Sequence, residues 1–460
     1  MPHTAAPVIS RDAEVRRAYA ADASGLVLVP EGVARPTSAE EVAALLAEAT
    51  SSGTPVTAAG GQTSTTGASI SDRGTLLSLR AMQRIIDIDP VARVARAEPG
   101  VLVGELKRAC AAHDLLLAPD PTSEEECTLG GAVACNASGA RSLRYGATRP
   151  HVRALRVALA DGSIVDLRRT ALEKNTVGYA LAHDPVDWFV GSEGTLGVVV
   201  EVELGLLPLP EQVVGLAIPF TSEQEALGFV VAARDSEAVH ARCLEYFDVL
   251  ALAIAREAEG SRDWAADAQA FVYVEEVPPR GVDPALDEWL ALAEVHGALT
   301  DDVRVYEGET ALREARRVRH AVPARMNERG AARRPHGGRK VSTDWAVPYP
   351  QLARAISKAR ALADEAQVPQ AVTYGHAGNG HPHQNFIAHD AAELARIERV
   401  VEATLREVIA LGGTVAAEHG IGKLKRKWLP LQMSPLQVRT MQAVKRELDP
   451  AGILAPGNVL

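Results

Sequence analysis

His376, His381 and His383 stand in the run YGHAGNGHPHQNF, and a further imidazole stands beside a carboxylate at Glu418-His419, in EHGIG. His376 and His383 are an odd number of residues apart, which would put them on opposite faces of an unbroken strand. Gly378, Gly380 and Pro382 break any such strand, and a chain bent there can aim both rings at one point. Two histidines and Glu418 form a common donor set for a catalytic divalent cation with an open position, most often zinc, with manganese or iron also possible. The competing reading is a set of hydrogen-bonded structural histidines, which applies to isolated residues more readily than to a cluster.

A second feature is Gly60-Gly61-Gln62-Thr63-Ser64, where successive backbone N–H groups can converge on an anion. Hardly any positive side chain lies nearby in sequence, so the loop suits a pyrophosphate held through main-chain donors. The alternative is an ordinary turn. Neither a G-x-x-x-x-G-K-[ST] loop nor a strand-initiated G-x-G-x-x-G is present, and Gly375-x-x-Gly378-x-Gly380 has the wrong order for one.

These residues need elements to position them. Thr37 and Glu40 have capping-box spacing ahead of an apolar stripe at Val42, Leu45, Leu46 and Ala49, which predicts a helix stopped by Gly53. Strands are expected at 55–59 and 75–79, a hairpin around Asp89-Pro90, a helix from Gly100 to about His113, and strands at 152–160 and 163–168 about Asp161-Gly162. The segment from Leu115 to Arg149 reads as a long ordered loop without a regular element. A Pro-rich exit near 208–210 marks a domain boundary, beyond which β segments at 213–219 and 271–275 alternate with amphipathic helices. The basic stretch 329–340 reads as a loop, and helices near 349–366, 390–411 and 434–447 close the chain.

Composition excludes several classes. With 460 residues, 47% hydrophobic and 23% charged, the chain can bury two or three cores. A net charge of −11 opposes a nucleic-acid surface. The longest uncharged stretch, Ala49 to Ser71, is rich in Gly, Ser and Thr, so no transmembrane segment is expected. The N-terminus shows no secretory pattern, which makes a cytoplasmic location the expectation. Cys110, Cys127, Cys135 and Cys243 include no C-x-x-C pair and read as reduced thiols, so any iron–sulfur centre would belong to a partner.

Five motifs follow the glycine loop in order: Glu98-Pro99-Gly100-Val101, Pro119-Asp120-Pro121-Thr122, Cys127-Thr128-Leu129-Gly130-Gly131, Asn136-Ala137-Ser138-Gly139 and Gly191-Ser192-Glu193-Gly194-Thr195-Leu196-Gly197. With them, residues 25–210 resemble the FAD-binding domain of the vanillyl-alcohol oxidase / p-cresol methylhydroxylase superfamily. The resemblance implies that Gly60, Gly61, Gln62, Thr63 and Ser64 hold the FAD pyrophosphate. Pro119, Asp120, Thr128, Gly130, Gly131, Asn136, Ser138 and Gly139, with Glu193, Gly194, Gly197 and Val199, would contact the rest of the cofactor. Where many members read Arg-Gly-Gly-Gly-Thr, this chain reads Ala59-Gly60-Gly61-Gln62-Thr63, and no His stands where covalent members attach flavin, so noncovalent FAD is expected.

Residues 215–460 resemble the C-terminal domain of FAD-linked D-2-hydroxy acid dehydrogenases, a group that includes D-lactate, glycolate and D-2-hydroxyglutarate dehydrogenases. That resemblance implies His376, His383 and Glu418 as metal ligands, Asn385 near the substrate, His419 as base, Arg319 on the substrate carboxylate, Lys340 as a second basic contact and Asn458 facing the flavin. Asn379 and His381-Pro382 replace the family's Asp and Asn-Leu. The implied fold is α+β: a lead-in at 1–24, a PCMH-type FAD-binding domain of two α/β subdomains at 25–210, and an α+β substrate or cap domain at 211–460. The last has an antiparallel sheet and a C-terminal helical segment returning to the flavin. The implied reaction is oxidation of a D-2-hydroxy acid to the 2-oxo acid with hydride passing to flavin N5. Electrons then leave to an acceptor protein, a quinone or an iron–sulfur partner. The alternatives are the flavin subunit of a multi-protein oxidase and a non-redox flavoprotein like the alkyl-ether lipid synthases; an oligomer is also compatible.

Overall fold

The computed structural model describes residues 5–170, 172–179, 182–260 and 263–460. The chain forms two compact units: residues 1–139, 146–209 and 418–460 make the first, and residues 140–145 and 210–417 the second. The boundary at 209/210 coincides with the Pro-rich exit. The compact first unit takes up the chain again at Glu418.

Among the described residues the first unit contains, besides a small antiparallel pair of Leu115–Leu116 with Leu207–Pro208, two larger sheets, as two α/β subdomains require. In one, Gly32–Ala34, Thr75–Ser78 and Val56–Ala59 run parallel, with Ile9–Ser10 antiparallel at the edge. The helix Ala39–Ser52 is the crossover from Gly32–Ala34 to Val56–Ala59, which flank Thr75–Ser78 on either side. Its cap falls one residue later than the Thr37 spacing predicts: Ser38 Oγ accepts the Glu41 N–H at 3.2 Å, while Thr37 donates its N–H to the Glu41 carboxylate. Val42, Leu45 and Leu46 then pack on Leu77, Val198 and Leu454. The second sheet is antiparallel, in the order Ile85–Asp89, Val94–Ala97, Val198–Gly205, Val152–Ala158, Ile164–Arg168. Within the expected loop at 115–149 the chain forms two short helices, Leu129–Cys135 and Ser142–Tyr145. The first tolerates two glycines because Thr128 caps it and Gly130 packs on Pro99. The C-terminal helix Pro435–Leu448 begins at a Ser434–Gln437 capping box, and Ile453 and Ala455 hydrogen-bond Val56.

The second unit is built on a seven-stranded antiparallel sheet in the order Arg304–Glu307, Val214–Phe220, Ala270–Glu276, Ala241–Asp248, Val372–His376, His381–Asp390, Gly337–Ser342. One face, with Phe247, Phe271, Tyr273 and Tyr374, packs on the helices Val249–Glu259 and Gly308–Ala331. On the other, Phe220 and Phe229 meet with ring centroids 5.2 Å apart, and Trp289 adjoins Phe229. The basic stretch 329–340 is a correction: it ends the helix Gly308–Ala331 and opens the strand Gly337–Ser342, with Lys340 paired to Ile387. That helix also runs through Pro323, which removes the N–H that would bond the Arg319 carbonyl. No described helix is long and apolar enough to cross a membrane.

Candidate active site

In the second unit, the strands Val372–His376 and His381–Asp390 form a hairpin around the 3-10 turn Ala377–Asn379. Register pairs His376 with His381 and Tyr374 with His383, so all three imidazoles share one sheet face. Two glycines make this possible. A Cβ on Gly380, which sits at φ 68°, would fall 1.9 Å from the Val347 carbonyl oxygen, and a Cβ on Gly375, at φ 132°, would meet the His383 ring at 3.0 Å. Ring centroids of His376, His381 and His383 are 4.6 to 5.4 Å apart, and one nitrogen of each lies within 4.8 Å of the others. Such convergence fits a divalent cation bound by imidazole. His381, outside the expected ligand pair, is therefore part of the cluster, with Asp344 Oδ1 3.1 Å from its Nε2.

Glu245, on the neighbouring strand, lies 2.6 Å from His376 Nδ1. The Nδ1–H donating to this carboxylate leaves the Nε2 lone pair available, the arrangement seen around metal-bound histidines. Burial pushes the Glu245 carboxyl up, but the Arg319 guanidinium and His376 more than reverse this and hold it at about 2. Arg319 Nε donates to Glu245 Oε2 at 2.6 Å, and Arg319 Nη2 is 3.4 Å from His376 Nδ1. The arginine expected on a substrate carboxylate here donates to Glu245, the residue that orients His376. Neither Glu245 nor its strand emerged from the sequence reading. Its signal was a lone acid at an inward position of the alternation Cys243, Glu245, Phe247.

Asn385 continues the His381/His383 face and accepts from Ser342 Oγ at 2.9 Å. Lys340 shares that face through its pairing with Ile387 and donates to Asn327 Oδ1 at 2.6 Å. Burial lowers its pKa.

In the first unit, the backbone N–H groups of Gly61, Gln62, Thr63 and Ser64 find no acceptor among the described residues, the condition of a cradle awaiting an anion. Gly60 and Gly61 allow it to lie tight on the 126–128 segment: added Cβ atoms would sit 2.1 Å from Thr128 Oγ1 and 2.1 Å from the Glu126 carbonyl. Gln62 keeps the left-handed backbone of the glycine it replaces, at φ 56°. Its amide compensates by donating to the Tyr19, Ala21 and Ser69 carbonyls. Gly139 closes on Asp120, beside the buried Pro119; Asn136 ends the 129–135 helix at φ 49°, and a Cβ on Gly131 would meet Thr128 Oγ1 at 3.3 Å. Glu193 accepts from the Ile421 and Gly422 N–H groups at 2.6 and 2.7 Å, and burial raises its pKa. Gly194 follows it at φ 72°, Gly197 packs on Val157, and Val199 is buried in the strand Val198–Gly205. Asn458 donates to the Ala68 carbonyl and accepts from Lys423, whose pKa burial lowers to about 8. Glu418 accepts from Ser138 Oγ at 3.1 Å, and His419 Nε2 lies 3.5 Å from Glu418 Oε1.

The model for FAD linked oxidases, C-terminal domain, matches residues 209–459, and a FAD binding domain matches residues 30–168. The chain belongs to the FAD-linked oxidase family. This FAD-linked oxidase is 31% identical to a D-lactate dehydrogenase of Archaeoglobus fulgidus, over 93% of this chain and 91% of that one. It is 29% identical to the glycolate oxidase subunit GlcD of Bacillus subtilis, over 94% and 89%. An alkyldihydroxyacetonephosphate synthase structure matches with a TM-score of 0.72 at 18% identity, over 97% of this chain and 83% of that one, a likeness of fold. The family is one of FAD-dependent oxidoreductases, and the unpaired N–H groups at 61–64 fit the cofactor's pyrophosphate.

Proposed function

We propose that this FAD-linked oxidase oxidises a D-2-hydroxy acid to the 2-oxo acid. The observation that carries the reading is the three-imidazole face with Glu245 behind His376, a constellation suited to holding a hydroxy acid's oxygens through a divalent cation, most simply zinc. Relatives named D-lactate dehydrogenase and glycolate oxidase subunit support it. When bound, noncovalent FAD supplies the hydride acceptor and the cation acidifies the substrate hydroxyl. His376 and His383, together with Glu418, take the ligand roles implied by their motifs, and His381 joins them. Glu245 fixes the His376 tautomer, and Arg319 keeps Glu245 ionised. Arg319, Lys340 and Asn385 orient the acid, and His419 receives the hydroxyl proton while hydride leaves C2. Asn458, locked by Lys423 and Ala68, steadies the C-terminal tail at the cofactor loops.

The Bacillus relative is an oxidase subunit, which favours a protein partner as the electron acceptor over free quinone. The test is anaerobic absorbance of the purified yellow protein with D- and L-2-hydroxy acids, with and without a chelator. Bleaching by D-acids that chelation abolishes is expected; flavin that no hydroxy acid reduces would refute the assignment.

A further inference from the structure

The strand Ala241–Asp248 carries a bulge. Ala241 pairs with Glu276 but Cys243 already pairs with Glu275, so Arg242 is the extra residue. Bulges re-aim side chains. Arg242 is only 5% exposed, and its Nε donates to Glu275 Oε2 at 2.7 Å. Arg141 Nε donates to the same oxygen at 3.2 Å, and the Tyr273 hydroxyl donates to Oε1 at 3.1 Å. Burial pushes the Glu275 carboxyl up, but Arg242, Arg141 and Arg316 hold it well below the usual carboxylate range. A guanidinium has five N–H donors, and the four outer ones of Arg242 meet no acceptor among the described residues. Glu275 anchors one edge of the fork and leaves the other edge without an acceptor among the described residues, open to a ligand carboxylate.

This fork adjoins the histidine cluster. Cys243 pairs with Glu275, and two positions on, about 7 Å along the strand, Glu245 holds His376. The Cys243 thiol between them senses both groups: burial raises its pKa, Glu275 and Glu245 add to the rise, and Arg242 and Arg319 oppose it.

We propose that Arg242, supported by Arg141, is a second anion-binding subsite on this face, and that the substrate is a short 2-hydroxy dicarboxylate. The fork matches a carboxylate edge-on, in bidentate geometry. The proposal rests on the hydroxy-acid reading of the histidine cluster, and its test is a binding measurement that does not require oxidation. The FAD-loaded protein is titrated with 2-oxoglutarate and with pyruvate, binding being read from flavin absorbance and thermal shift. The diacid is expected to bind about 10-fold more tightly. Arg242→Gln abolishes that preference, and Arg242→Lys, which keeps charge without the fork, retains part of it. If Arg242→Gln does not accumulate as a flavin-bound protein, Arg242→Lys carries the comparison. Equal affinities in the native protein, or a loss on substitution shared equally by both acids, overturns the subsite. An Arg242-dependent preference in a protein whose flavin no hydroxy acid reduces would leave the subsite standing and remove only the oxidation reading.

Discussion

Glu245 Oε1 lies 2.6 Å from His376 Nδ1, and both side chains are almost wholly buried. The pair joins a strand interior to the hairpin face that gathers three imidazoles. Arg319 completes it from the helix Gly308–Ala331. Glu245→Gln removes the charge that both His376 and Arg319 face. Metal affinity is expected to fall about 10- to 100-fold with FAD content retained, and stability by about 3 to 5 kcal/mol because a buried cation loses its partner. Metal analysis of the purified variant and denaturant unfolding check the two effects.

Chelation separates the cofactors. Dialysis against a strong chelator is expected to leave the yellow chromophore, because the 61–64 cradle binds through backbone groups remote in sequence from the histidines. Substrate-driven flavin bleaching is expected to slow by about 100-fold or more, with recovery on adding zinc or manganese. His381→Ala is expected to lower metal content as well; unchanged content would remove His381 from the ligand set.

Gln62 tests the glycine loop. Gln62→Ala keeps the left-handed backbone demand but loses the ties to Tyr19, Ala21 and Ser69, with an expected loss of about 1 to 3 kcal/mol. Gln62→Gly relaxes the backbone and is expected to lose less. Thermal unfolding and FAD retention on gel filtration rank the three proteins; Gly below Ala would contradict the strain argument.

Asp248 sets a pH dependence. Burial raises its carboxyl from 3.8 to about 6, although it accepts the Ala251 and Thr373 N–H groups. The folded state therefore holds this proton more tightly than the unfolded state. The stabilisation is complete below about pH 4 and is lost as pH rises through about 6. Relative to Asp248→Asn, which cannot ionise, native stability is expected to decline between those values and then level off. Unfolding free energies across pH 4–8 measure it.

Gly380→Ala places a methyl against the Val347 carbonyl and demands positive φ of alanine. It is expected to cost about 3 kcal/mol or more and to lower metal content with stability, because the hairpin turn that pairs His376 with His381 is displaced. Melting temperature and metal analysis decide; an unperturbed variant would show that the turn has room to move.

Local signals in the chain carried much of this. Capping residues Asp390 and Ser434 started helices where expected, Asp161-Gly162 joined two strands, and the ordered series of glycine motifs identified the FAD-binding half. These depend on neighbours a few residues apart, so a linear reading reaches them. The loop assigned to 329–340 failed because a run of charged and small residues looks solvated until a partner strand, His381–Asp390, pairs with Gly337–Ser342.

The residue types at His376, His381 and His383 offered a candidate metal site, but spacing alone left their faces open. Cross-strand register decided them, since pairing His376 with His381 and Tyr374 with His383 makes an odd separation along the chain a shared face in space. Glu245 and Arg242 became visible only in three dimensions. Their partners are His376 and Glu275, far away in sequence, and what they do depends on burial and on a single bulged residue that no local propensity encodes.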